Sequence, residues 1–84
     1  MPSFLVETYA PERRTNGLPD LSATAQAAAS TGAAAGLDVR HVRSFATPGD
    51  EVCFHVFEAP SLEAVASMSK LACLDHERIT EVIE

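Results

Sequence analysis

Residues 51–60 read EVCFHVFEAP, and the way these alternating side chains point decides how the sheet is built. As a strand, Glu51, Cys53, His55 and Phe57 share one parity, and Val52, Phe54, Val56 and Glu58 share the other. Upstream, LDVRHVRSFA (37–46) is a second strand and TPGD (47–50) has turn composition, so the two strands form an antiparallel hairpin. Pro60 ends the third strand. Ser61, ahead of Leu62, Glu63 and Ala64, reads as the N-cap of a helix. Leu62, Val65, Ala66, Met68 or Ser69, and Ala72 form the expected buried stripe of that helix.

Outward from this hairpin the chain repeats a strand–helix–strand form. PSFLVETYA opens with a strand, and PERRTNGLP is a loop rich in turn formers. From about Pro19 to Ala35 an Ala-dominated helix is predicted, with Leu21, Ala25, Ala28 and Ala29 as its narrow apolar stripe and Gly36 as its stop. ERITEVIE closes the chain as a fourth strand. The order β-α-β-β-α-β predicts an α+β, ferredoxin-like domain over residues 1–84, an antiparallel sheet with two helices on one face. Both helices cover the same face because the crossovers are right-handed.

Composition narrows the function classes. The 84 residues carry 12 acidic and 6 basic side chains, a formal net charge of −6. That balance speaks against nucleic acid or an anionic membrane as partner, since both need basic patches. No stretch approaches the length of a membrane span. The N-terminal MPSFLVETYAPERR lacks a basic n-region, so no signal peptide is expected. Two cysteines, Cys53 and Cys73, do not make a disulfide framework, and a cytoplasmic protein with reduced thiols is the expectation.

The more uniformly apolar set of the third strand, Val52, Phe54 and Val56, is expected to meet the helices, leaving Cys53, His55 and Phe57 on the open face. Phe4 and Val6 belong inside, and Leu5, Glu7 and Tyr9 outside. On the second strand Val42, Ser44 and Ala46 suit the inner side, which sends His41, Arg43 and Phe45 outward. An open face with this apolar content predicts a homodimer.

Thiol, imidazole and carboxylate together suit a divalent transition metal, with nickel or zinc the natural choices. Cys53 and His55 sit two apart on one strand face, with Cα atoms about 6.6–7 Å apart. Donors on one ion stand about 3–3.5 Å apart, which converging side chains reach. Glu7 and His41 could complete this set. A second cluster follows the second helix, where Cys73, Asp75, His76 and Glu77 are potential ligands in a surface turn. The plainer alternatives are that Cys53 packs as a small hydrophobe, that His55 hydrogen-bonds at an interface, and that residues 73–77 are a solvated helix end. A nucleophile–base role for Cys53 and His55 needs direct contact and a third orienting group, so no catalytic residue is assigned. A second function class is a small-molecule binder or small enzyme, with a cavity over the open face walled by Tyr9, Arg43, Phe45 and Phe57.

The segments PSFLVETYAP, RSFATPGDEVCFHVFEAPSLEAV and DHERITEVIE resemble a small bacterial domain-of-unknown-function family that includes a nickel-binding protein. The resemblance spans nearly the whole chain. It implies a ferredoxin-like subunit, a homodimer, nickel ions held at the dimer surface, and a role in nickel sequestration or detoxification. The ligand candidates Glu7, His41, Cys53, His55, Cys73 and His76 come from the local chemistry of the residues and not from the resemblance.

Overall fold

A computed structural model describes residues 1–9, 18–47, 49, 52–74 and 76–83, with backbone alone for 18–20. The elements are β1 (Ser3–Tyr9), α1 (Leu18–Ala34), β2 (Arg40–Thr47), β3 (Val52–Glu58), α2 (Leu62–Leu71) and β4 (Arg78–Val82). The strands lie in the order β2-β3-β1-β4, and each neighbouring pair is antiparallel. Phe4, Val6 and Phe57 from the sheet share one buried cluster with Ala25, Ala28 and Ala29 of α1 and Ala64, Val65 and Met68 of α2. Both helices therefore cover one face, and the fold is the ferredoxin-like α+β arrangement. The expected loop at 11–17 and the turn residues Pro48, Asp50 and Glu51 lie outside the described residues.

Each helix carries its own start or stop. The buried alanines of α1 recur at helical spacing, and their short side chains bring the helix axis close to the sheet. Gly36, at φ +87°, ends α1 in the left-handed region that glycine enters without steric cost. Its amide donates to the Ala33 carbonyl at 3.0 Å, and the Leu37 amide donates to the Gly32 carbonyl at 2.9 Å, which together satisfy the last turn. The α2 cap is the expected one, with the Ala64 amide donating to Ser61 Oγ at 3.2 Å. On α2 the buried residues are Ala64, Val65, Met68 and Ser69. β2 begins at Arg40 and not at Leu37; Leu37 and Val39, ahead of it, pack against the core.

The ladder registers correct the expected faces of β3. Phe4 pairs with Phe57, Val6 with His55 and Thr8 with Cys53. Directly opposed residues share a face, so Cys53, His55 and Phe57 point toward the helices with Phe4 and Val6. Val52, Phe54 and Val56 lie on the open face, opposite Tyr9, Glu7 and Leu5. Along β2, Ser44 pairs with His55 and Phe45 with Phe54, so Ser44 points inward and Phe45 outward, as expected. His41 does not follow the alternation. A register shift between His41 and Arg43 leaves Val42 as an extra residue, and His41 pairs with Phe57 on the inner side.

The open face consequently carries Leu5, Tyr9, Phe45, Val52, Phe54, Val56, Thr80 and Val82. The Phe45 and Phe54 rings stack there at 5.2 Å and 24°. Its charges are Glu7, Arg43 and Arg78, plus the exposed Arg40–Glu58 ion pair at the end of the hairpin.

Where the two helices meet, a Cβ added at Gly32 would stand 3.0 Å from Met68 Cγ and 3.2 Å from Met68 Cβ. Met68 is fully buried and has no room to retreat. Replacing Gly32 by valine should therefore cost about 1–3 kcal/mol despite the better helix propensity. Urea unfolding checks this, and an unchanged or raised midpoint would show that the helices are not in contact at Gly32.

Candidate functional site

Two groups of reactive side chains stand out, one on the helix-covered side of the β2–β3 hairpin and one exposed at the end of α2. The inner group is a chain of four. His41 Nε2 lies 2.9 Å from Ser44 Oγ, Ser44 Oγ lies 2.5 Å from His55 Nδ1, and His55 Nε2 lies 3.8 Å from Cys53 Sγ. The hairpin register creates the middle contact by setting Ser44 directly opposite His55. The bulge at Val42 creates the outer one by turning His41 inward. The His41 ring also meets Phe57 edge-on at 5.5 Å.

A neutral imidazole has one N–H and one bare nitrogen, and a hydroxyl or thiol can match either. The network is therefore satisfied in either tautomer of His55, provided the ring stays neutral. Burial does keep it neutral. Desolvation, helped by the neighbouring His41, lowers the His55 pKa to about 4. His41 is lowered in the same sense by partial burial, against an opposing hydrogen bond to the Arg43 backbone. Burial pushes the Cys53 thiol up, so it stays protonated.

For a metal, this inner set is a poor fit. Cys53 and His55 are 0% and 1% exposed, so an ion has no open path to them. Glu7 lies on the opposite face of the sheet, paired with Phe54 and Arg78, and does not join them. Among the described residues no three His, Cys, Asp or Glu side chains converge.

The exposed group lies where α2 ends. Cys73, at φ +53°, leaves the helix, and its thiol is free and exposed. Ala66, Ser69, Lys70, Cys73, Leu74 and His76 line a cleft of about 480 Å³. His76 Nδ1 lies 3.3 Å from the Leu74 carbonyl, to which it donates, and Nε2 is the ring's other nitrogen. This pairs one soft and one borderline donor at a solvent-facing site. Asp75 lies outside the described residues, and Glu77 is exposed beside His76.

Of the residues expected to wall a cavity over the open face, Tyr9, Arg43 and Phe45 are on that face, with Tyr9 56% and Phe45 42% exposed. Phe57 is fully buried on the other side and cannot contribute. The sequence reading placed Ser44 and Ser69 on buried sides but gave neither a part in a site. Ser44 joins the two histidines, and its signal was its place opposite His55 in the hairpin. Ser69 is a polar residue on the buried stripe of α2, where an apolar one belongs.

The model of one protein family, described as SCO4226-like (nickel responsive protein SCO4226-like), matches residues 4–82. No curated protein and no solved structure matches the chain.

The lowered His55 pKa sets a pH dependence. The unfolded chain takes a proton on this ring near its ordinary pKa of 6.5, whereas the folded protein resists until about 4. Stability from the neutral ring is thus complete above about pH 6.5 and is lost as pH falls toward 4, at up to about 1.4 kcal/mol per pH unit. Urea unfolding at pH 7 and pH 4.5 should show an acid loss on the order of 2–3 kcal/mol that His55→Gln reduces. Equal acid losses in the two proteins would mean that His55 is charged in the fold.

Proposed function

The chain belongs to the SCO4226-like family of nickel responsive proteins, and from that premise we propose that it is a homodimeric nickel-binding protein that sequesters the ion at the exposed cleft ending α2. The observation that carries this reading is the placement of Cys73 and His76 in the lining of one cleft, with His76 Nδ1 already committed to the Leu74 carbonyl. A backbone bond of that kind fixes the tautomer and aims the other nitrogen at a ligand. Nickel accepts imidazole nitrogen readily and thiolate sulfur as a softer partner. Two protein donors leave the remaining coordination positions to water, so the site suits reversible uptake. Cys73 must lose its proton to bind, and loading therefore releases acid. His41, Cys53 and His55 serve the fold in this reading, because their hydrogen bonds are satisfied without an ion.

The dimer is proposed through the open sheet face. Helices cover the other face, so on this one Phe45 stays exposed and Leu5, Val52 and Phe54 only half-buried within the chain, while their neighbours already bury Val56. A second copy on this surface would bury the stacked Phe45–Phe54 pair, and a symmetric contact lets Glu7 of one subunit approach arginines of the other. The alternative, a small-molecule cavity at the same place, keeps Tyr9, Arg43 and Phe45 but loses Phe57. A cytoplasmic location accords with free thiols, and no helix among the described residues is long and apolar enough to cross a membrane.

Two measurements test the proposal. Calorimetry with nickel chloride should give affinity at least about tenfold weaker for His76→Ala, with little change in melting temperature. His55→Ala should lose about 2–4 kcal/mol of stability and still bind nickel once folded. The reverse pattern would move the ion to the buried pair. Sedimentation should show a dimer of the 8.9 kDa chain at micromolar concentration, and Phe54→Arg should convert it to a monomer. A monomeric native protein, or a dimer indifferent to Phe54→Arg, would remove the open face as the interface.

A further inference from the structure

One hydroxyl stands between two imidazoles on the β2–β3 hairpin. Ser44 Oγ lies 2.9 Å from His41 Nε2 and 2.5 Å from His55 Nδ1, both within direct hydrogen-bond reach. A serine hydroxyl owns a single hydrogen, so it can donate to one ring only and must accept from the other. With both bonds made, the two nitrogens it touches are in opposite states, one bearing a proton and one bare. His55 passes this constraint on. A neutral imidazole has one N–H, so the state of Nδ1 fixes that of Nε2, which lies 3.8 Å from Cys53 Sγ.

The other end of the chain reaches the surface. His41 is half-buried and lines a cleft of about 320 Å³ between α1 and β2, together with Gln26, Ser30 and Arg40. Its ring also bonds the Arg43 backbone in a contact that favours the charged ring, which makes it a donation to the carbonyl. Nε2 is turned to Ser44, so the donor is Nδ1. In the neutral protein every bond then runs one way. Cys53 donates to His55 Nε2, His55 Nδ1 to Ser44, Ser44 to His41 Nε2, and His41 Nδ1 to Arg43.

We propose that Ser44 joins the two histidines into one proton switch, in which protonation of His41 at the cleft turns His55 from its Nδ1–H to its Nε2–H form. A proton that arrives on His41 Nε2 makes that atom a donor to Ser44. The Ser44 hydrogen must then turn to His55 Nδ1, which has to be bare to accept it. His55 stays neutral with its proton at Nε2, and Cys53 becomes the acceptor of that bond. The protein gains one proton, carried by His41, and leaves one weak thiol donor unbonded. Fully buried Cys53 thereby registers an event in the cleft, and no metal is needed for it.

Few other charges bear on the pair. Arg40 and Arg43 on β2 oppose a charged His41, and Glu58 on β3 is bound to Arg40. Phe57, across from His41, and Val6, across from His55, do not titrate. Neither does any described side chain of α1, and α2 turns Ala64, Val65, Met68 and Ser69 inward. Partial burial holds His41 below the usual imidazole range, and His55 itself resists protonation until about 4.

NMR of the ring nitrogens, in metal-free protein carrying nitrogen-15 histidine, reads the tautomers directly. At about pH 7.5 His55 Nδ1 should bear the proton and Nε2 should be bare. On titration to about pH 4.5, His41 should take its charge while the two His55 signals exchange ranges and that ring stays neutral. In Ser44→Ala, His41 should titrate without changing the tautomer of His55. His55 found as Nε2–H at the start, or keeping Nδ1–H after His41 is charged, would overturn the switch in the unmodified protein alone. So would a His41 that stays neutral throughout. A tautomer change that persists in Ser44→Ala would overturn Ser44 as the link.

Discussion

Across the ladder between β1 and β3, Phe4 faces Phe57 and Val6 faces His55. Side chains on a strand alternate strictly, so a slip of one residue would invert the whole of β3. Phe4 and Val6 pack under the alanines of α1, and their partners must go the same way. This register places an imidazole and a thiol in the core while three apolar side chains, Val52, Phe54 and Val56, go to the uncovered side. The chain thereby takes on two obligations. It must keep a buried histidine neutral and hydrogen-bonded, and it must deal with a second apolar face that its own helices do not reach.

The first obligation is met locally. One inserted residue, Val42, turns His41 toward the core, and the hairpin sets Ser44 between the two rings. Cys53 completes the chain of contacts on the far side of His55. With both nitrogens of His55 engaged and its pKa lowered to about 4, the ring behaves as a polar core residue near neutral pH. The second obligation is the reason a partner subunit is proposed. The outcome is a division between histidines. Those on the hairpin are spent on internal bonds, whereas His76 is exposed and among the described residues bonds only the Leu74 carbonyl, through Nδ1.

Much of the architecture could be read from residue patterns. Ser61 marked the start of α2 and Gly36 the end of α1, because capping is a local property of a few residues. The spacing of Ala25, Ala28 and Ala29 identified the buried side of α1. The orientation of β3 was misread for a physical reason. Both of its faces are rich in apolar groups, so hydrophobicity alone does not choose between them, and the decisive contacts come from β1, some fifty positions away in sequence. The bulge at Val42 was equally hidden, since nothing in RHVRSF marks an extra residue, and with it went the position of His41. Cys73 and His76 were legible as a pair because they are neighbours in the chain. Their joint cleft also takes in Ala66, Ser69, Lys70 and Leu74, which only the packing at the end of α2 brings together.

The central claim is that nickel enters the cleft at the end of α2 and not the core beneath α1. Amide NMR spectra of the protein during titration with nickel chloride test it residue by residue. The account predicts that signals of Ser69, Lys70, Cys73, Leu74 and His76 shift or broaden first, while those of Ser44, Cys53 and His55 hold their positions. Early loss of the Cys53 and His55 signals, with residues 69–76 unaffected, would contradict it.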